Sequence, residues 1–183
     1  MHPSQITIGI LAGGRGLRAG GRDKGLLVHE GQPLTQRLYA TGKDLACSAE
    51  RIICCQRNAY FYQSYADILI CDWQSDMGPL GGMLAILAAA SHEEIFILPC
   101  DALGSMPVDW ISRVRKAFTD SELGSFVEDG GMHTPYCFLR KPALAVIESE
   151  LASPHPTLRG FYARAGLSSV RITGAGRDWD WVE

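Results

Sequence analysis

The strand-like run Ile6–Ile10 passes directly into Leu11–Gly25, a segment in which six of fifteen residues are glycine and four are arginine or lysine. Glycines leave backbone N–H groups bare and able to approach a ligand closely, while the long cations neutralise negative charge. A buried strand that opens into such a loop restricts the chain to folds that present a polyanion site at a strand end. The ligand this implies is a nucleotide phosphate.

Two familiar phosphate loops do not fit. Gly14-Arg15-Gly16-Leu17-Arg18-Ala19 satisfies G-x-G-x-x-G/A, but Gly20 and Gly21 interrupt the helix that should start there, and the next strand lacks an acid at its end to hold a ribose. A Walker loop is excluded because Lys24 is preceded by Asp23 and followed by Gly25. The net charge of −3 argues against a general nucleic-acid binder, since the positive charge is concentrated in one loop. The longest wholly apolar run, Met83–Ala90, is too short for a membrane span, and the Met1–Gln5 start has no basic region ahead of a long apolar one. A cytoplasmic location is expected. Six cysteines stand at 47, 54, 55, 71, 100 and 137 with no C-x-x-C pair, so free thiols are expected, with Cys54, Cys55 and Cys71 buried in strands.

Apolar runs at Ile6–Leu11, Arg51–Cys55, Asp67–Cys71 and Glu94–Leu98 predict strands, each separated by enough chain for a helix. Helices are predicted from Pro33 through Ala46, over Leu80–Ala90 and over Pro107–Phe118. The second half predicts strands at Gly124–Val127, Thr134–Leu139 and Ser169–Thr173, and helices at Ala143–Leu151 and Leu158–Ala165. The fold class is α/β: a single Rossmann-like, mostly parallel sheet with helices on both faces and a less regular C-terminal half. One domain is expected over 1–183, with a nucleotide half at about 1–105 and an acceptor half at about 106–183. Ligands of such sheets sit beyond the carboxyl ends of the strands. The Gly-rich loop, Asp72 and Asp101 all fall there. Asp101 suits Mg²⁺, and Gly78-Pro79-Leu80-Gly81-Gly82 offers free N–H groups ahead of a helix. His133, just before an apolar run, and Arg159, at a helix start, are further candidates to touch a ligand.

These residues resemble the molybdenum cofactor guanylyltransferases, a branch of the nucleotide-diphospho-sugar transferase type of fold. The likeness rests on Leu-Ala-Gly-Gly-x-x-x-Arg-x-Gly-x-x-Asp-Lys at 11–24, Gly-Pro-Leu-x-Gly at 78–82 and Pro-Cys-Asp at 99–101, and spans about 6–165. It implies Mg²⁺-dependent transfer of GMP from GTP to molybdopterin, with transient contact to proteins of molybdenum cofactor biosynthesis and no nucleic-acid or membrane partner. It further implies nucleotide-binding roles for Leu11, Ala12, Gly13, Gly14, Lys24, Asp72, Gly78 and Asp101. Arg18, Lys24 and Asp101 would carry the catalytic charge, with Arg15 and Arg22 also meeting phosphate. Open alternatives are another phosphorylated acceptor such as a sugar phosphate, with CTP as a possible donor, and a non-catalytic GTP-binding relative. Three departures from the family pattern stand out: Ala19 follows the loop arginine, Cys54 replaces a frequent Asn, and the C-terminal Asn-x-Asn-Thr-Pro is missing, since Asn58 is the sole asparagine. Asp178-x-Asp180 has the Asn-x-Asn spacing, which makes Asp180 a second candidate metal ligand with Asp178 its alternate.

Overall fold

Each central strand buries side chains on both faces, so alternate residues fall into two separate apolar layers. Ile6, Ile8 and Ile10 of β1 (Ile6–Ala12) join Ile53 and Cys55, Phe96 and Leu98 on one face. Ile52 and Cys54 of β4 (Glu50–Cys55) and Ile95 and Ile97 of β6 (Glu94–Pro99) point to the other. The computed structural model describes residues 6–12, 21–36, 38, 50–71, 77–100, 123–129 and 132–171.

A seven-stranded sheet runs in the order β5-β4-β1-β6-β8-β7-β9, with β5 (Ile68–Cys71), β7 (Gly124–Asp129), β8 (Met132–Arg140) and β9 (Ser168–Arg171) completing it. β5, β4, β1 and β6 are mutually parallel; β8 runs antiparallel to both β6 and β7, and β9 is parallel to β7. This is the expected mostly parallel α/β sheet, and the single reversed strand is what makes the second half less regular. On one face lie Leu38 and the short helix α1 (Ala59–Tyr62). The other face is covered by α2 (Gly78–Ala89), α3 (Ala143–Leu151) and α4 (Leu158–Arg164). Helix α2 settles closely onto β1 because Gly9 has no side chain: a Cβ there would collide with Ile86 of α2 and lie 3.1 Å from Ile97 Cδ1.

Several predicted boundaries shift. Pro33 belongs to a two-residue strand rather than opening a helix: β2 (Val28–His29) pairs with β3 (Gln32–Pro33), and helical backbone starts at residue 34. Glu30 (φ 49°) and Gly31 (φ 80°) supply the two left-handed residues that a tight hairpin requires. Helix α2 begins two residues earlier than expected, with Pro79 in its first turn, where a missing N–H costs nothing. Cys71 is exposed, unlike the buried Cys54 and Cys55, because β5 is the sheet edge and Cys71 is its final residue. The predicted helix at 107–118 lies outside the described residues.

Candidate functional site

The carboxyl ends of the parallel strands form one rim. Ala12 stands in register with Cys55, Cys55 with Cys71, and Leu11 with Pro99, while the Cys100 N–H donates to the Leu11 carbonyl at 2.9 Å. Leu11 and Ala12 therefore end β1 between two neighbours of equal height. Helix α2 starts over this rim: a Cβ on Gly82 would lie 2.6 Å from Leu11 Cδ2 and 3.6 Å from the Cys54 sulfur. Gly78, the first residue of α2, is exposed and holds φ 57°, a backbone setting that favours glycine. Cys54 packs with Leu80 and Met83 beneath α2. Its thiol neighbour Cys55 is pushed up to about 12 by burial first and then by Cys71, so it is a neutral thiol at the rim.

Lys24 lies in a short 3₁₀ turn, Lys24–Leu26, whose N-cap is Asp23. The turn is fastened to the segment that leaves β4. Asp23 Oδ1 accepts from the Gly25 N–H at 3.2 Å and from the Tyr62 hydroxyl at 2.6 Å, and Oδ2 accepts from Asn58 Nδ2 at 2.9 Å. Arg57 donates to the Gly21 carbonyl at 2.9 Å and Thr35 to the Gly25 carbonyl at 3.0 Å. Burial, then the bond to Asp23, holds the Tyr62 phenol well above its ordinary range, so it stays a donor. Lys24 is partly buried, and Arg22 is exposed two residues earlier.

A second cluster occupies the same rim across the sheet. Ile97 pairs with Cys137 in antiparallel register, so His133, four residues earlier in β8, lies past the carboxyl end of β6. Its ring stacks on Phe126 at 5.0 Å and 29°, and Phe126 stacks on Tyr162 of α4 at 4.2 Å and 17°. Tyr162 donates to the Thr134 carbonyl at 2.7 Å, which fixes the aromatic layer beneath the half-buried His133. Arg159 is exposed on α4, one turn before Tyr162, so the two are neighbours on the helix surface. Glu128 faces His133 in the β7–β8 register.

The structure thus places Leu11, Ala12, Gly78 and Lys24 around one part of the rim and His133 at another. Gly13, Gly14, Arg15, Arg18, Ala19, Asp72, Asp101, Asp178 and Asp180 lie outside the described residues. Among the described residues no three His, Cys, Asp or Glu side chains are grouped to hold a metal, and no helix is long and apolar enough to cross a membrane. Sequence reasoning missed Asp23, Asn58 and Tyr62. Their only linear signal is an acid and a polar residue flanking a lysine loop and a strand end, 35 positions apart.

Residues 8–168 match the model of the MobA-like NTP transferase domain. A molybdenum cofactor guanylyltransferase of Pseudomonas putida is 34% identical over 173 residues, covering 93% of this chain and 89% of that protein. One from Pseudomonas fluorescens is 48% identical over 100 residues, covering 54% of this chain and 49% of that protein. In fold the chain is similar to the Archaeoglobus fulgidus molybdopterin-guanine dinucleotide biosynthesis protein A, with TM-score 0.69 at 14% identity, covering 91% of this chain and 83% of that one. It is also similar to 4-diphosphocytidyl-2C-methyl-D-erythritol synthase from Anaerococcus prevotii, with TM-score 0.67 at 12% identity and coverages of 92% and 87%. A family match over most of the chain, joined to relatives of this identity and coverage, makes the protein a nucleotidyltransferase that belongs to the MobA-like NTP transferase domain family.

Proposed function

We propose that this nucleotidyltransferase transfers GMP from GTP to molybdopterin with release of pyrophosphate. The observation that carries the reading is the common rim: Leu11–Ala12 and the fastened Lys24 turn lie at one part, and a stacked imidazole beside a cationic helix lies across the sheet. The first part suits a nucleotide, with Gly13, Gly14, Asp72 and Gly78 as further contacts. The second suits an anionic, ring-containing acceptor, which His133 and Arg159 would meet by stacking, hydrogen bonding and charge. Relatives named molybdenum cofactor guanylyltransferase support the choice of donor and acceptor.

A phosphate oxygen of the acceptor attacks the α-phosphorus in line, and the bond to the β-phosphate oxygen breaks. The protein contributes position and charge: Arg18 and Lys24 neutralise the negative charge that builds on the departing pyrophosphate. Mg²⁺ would supply further charge neutralisation, held by Asp101 with Asp180 as the second carboxylate. The hard oxygen donors of these two acids fit that ion. The reaction belongs in the cytoplasm, in passing contact with the proteins that make and receive the cofactor.

Pyrophosphate release with molybdopterin as acceptor, measured with GTP, CTP and ATP and with and without Mg²⁺, tests the reading. Turnover with GTP alone supports it. CTP preference, or turnover only with a sugar phosphate, replaces donor or acceptor, and GTP-dependent thermal stabilisation without any turnover makes the chain a binding protein.

A further inference from the structure

Asp23 carries no role in the reaction proposed above, yet its carboxylate accepts three hydrogen bonds at the rim. It is only 9% exposed, and both carboxylate oxygens are engaged by donors from separate segments. The Tyr62 hydroxyl at 2.6 Å and the Asn58 amide at 2.9 Å come from the chain leaving β4, and the Gly25 N–H comes from its own turn. Burying an ionised carboxylate is costly unless it is bonded in this way, so the donors form a built seat for it.

The seat reaches the core. Tyr62 is fully buried in the layer that holds Ile10 and Ile53, and the fully buried Thr35 grips the Gly25 carbonyl from the other side at 3.0 Å. Gly25 must be glycine for both to close in, since a Cβ there would lie 2.5 Å from the Thr35 hydroxyl and 2.5 Å from the Tyr62 hydroxyl. Asn58 holds φ 61°, a setting asparagine tolerates better than most residues, and so turns its amide back to Asp23. Lys24 is the residue between the two that are pinned. Its Cα cannot shift unless the Asp23 and Gly25 bonds break.

We propose that Asp23, Tyr62 and Asn58 are positioning residues that fix Lys24 in advance for the nucleotide phosphates; this rests on the role given to Lys24 above. A cation held in place before the reaction needs no reorganisation as charge develops on the leaving pyrophosphate. A cation on a slack turn would still bind GTP, but it would be misplaced when the bond breaks. The device therefore acts on kcat more than on KM.

The test is a double-mutant cycle in the full chain. Tyr62→Phe removes the buried donor and keeps the ring, while Asn58→Gly removes the rim donor and keeps the left-handed backbone. Each is combined with Lys24→Ala, and kcat and KM for GTP are measured per folded molecule, with melting temperature as a control. The expected result is a roughly tenfold fall in kcat for each single variant, a KM for GTP within about twofold of the parent, and less than about twofold further loss when Lys24 is already alanine. Asn58 is exposed, so its variant keeps the test open should Tyr62→Phe fail to fold. Equal losses with and without Lys24, or full kcat in the folded single variants, overturn the positioning role. A parent chain with no transfer activity overturns the proposed reaction first, and the positioning role with it.

Discussion

At the level of single residues, the proposed reaction divides the rim into groups that would meet the nucleotide and groups that would meet the acceptor, and the two sets should fail differently. Lys24→Ala removes a partly buried turn cation that is not in either apolar layer. It is expected to lower turnover on the order of a hundredfold, about 3 kcal/mol of transition-state stabilisation, while thermal melting barely moves. Steady-state kinetics beside a melting curve checks this, and unchanged turnover removes Lys24 from the site. His133→Ala strips the half-buried outer ring of the His133–Phe126–Tyr162 stack and leaves the Phe126–Tyr162 pair intact. The expected outcome is a higher KM for molybdopterin, by about fivefold or more on the usual worth of an aromatic contact, with GTP affinity unaltered by calorimetry. A parallel loss of GTP affinity rejects the division. On the proposed metal role, Asp101→Asn should raise the Mg²⁺ midpoint of turnover, because it would exchange a hard anionic ligand for a neutral one of the same volume.

Elements differ in how plainly the sequence announces them, and the reason is burial. β1, β4 and β6 are legible as unbroken apolar runs because both of their faces are covered. The β2–β3 hairpin is not, since two-residue strands carry no period and Glu30 occupies a left-handed position where Asn or Gly would have given the turn away. In the candidate site, the motif offers Lys24 as a phosphate contact but not the Asp23 seat: its side-chain donors come from 35 and 39 positions downstream and meet it only after β4 pairs with β1. The contact of α2 with β1 is likewise tertiary. Gly9→Ala would drive a methyl into the fully buried Ile86, a cost of about 1–3 kcal/mol that exceeds what alanine gains over glycine in a strand. Denaturant unfolding should show that loss, and Ile86→Ala in the same chain should cost less than the sum of the two single changes. Strict additivity would mean that α2 is not seated on Gly9.

For the molecule as a whole, acid sensitivity should come from the end of the sheet opposite the rim. Glu50, at the start of β4, is partly buried, which works to raise its pKa. The Ser91 N–H at 2.9 Å, the Thr7 and Ser91 hydroxyls at 2.7 Å each, and His92 outweigh that and hold it below the usual carboxylate range. Asp67 is lowered in the same sense by its bonds from Arg51. A carboxyl lowered by folding adds stability that is present above its unfolded pKa of roughly 4.3, and that stability is lost as pH falls through the folded value. Glu50→Gln should therefore be less stable than the parent at pH 7, with the gap closing as acid is added. A gap independent of pH would show that packing, not charge, makes Glu50 matter.

The strand order has a consequence for how the chain is made. β1 lies at the middle of the parallel set, yet its partners β4 and β6 begin at residues 50 and 94, and β6 gains its outer neighbour β8 only from residue 132. At about 5–20 residues per second of synthesis, an emerging ribosomal product exposes Ile6–Ala12 for several seconds before both sides of that strand can be covered. That strand, which opens into the candidate site, is thus translated before every other strand of this sheet and waits for β6 before its second side is covered. Chaperone capture during translation, and aggregation when growth temperature rises, should track the length of the nascent chain up to β6 rather than the stability of the finished enzyme.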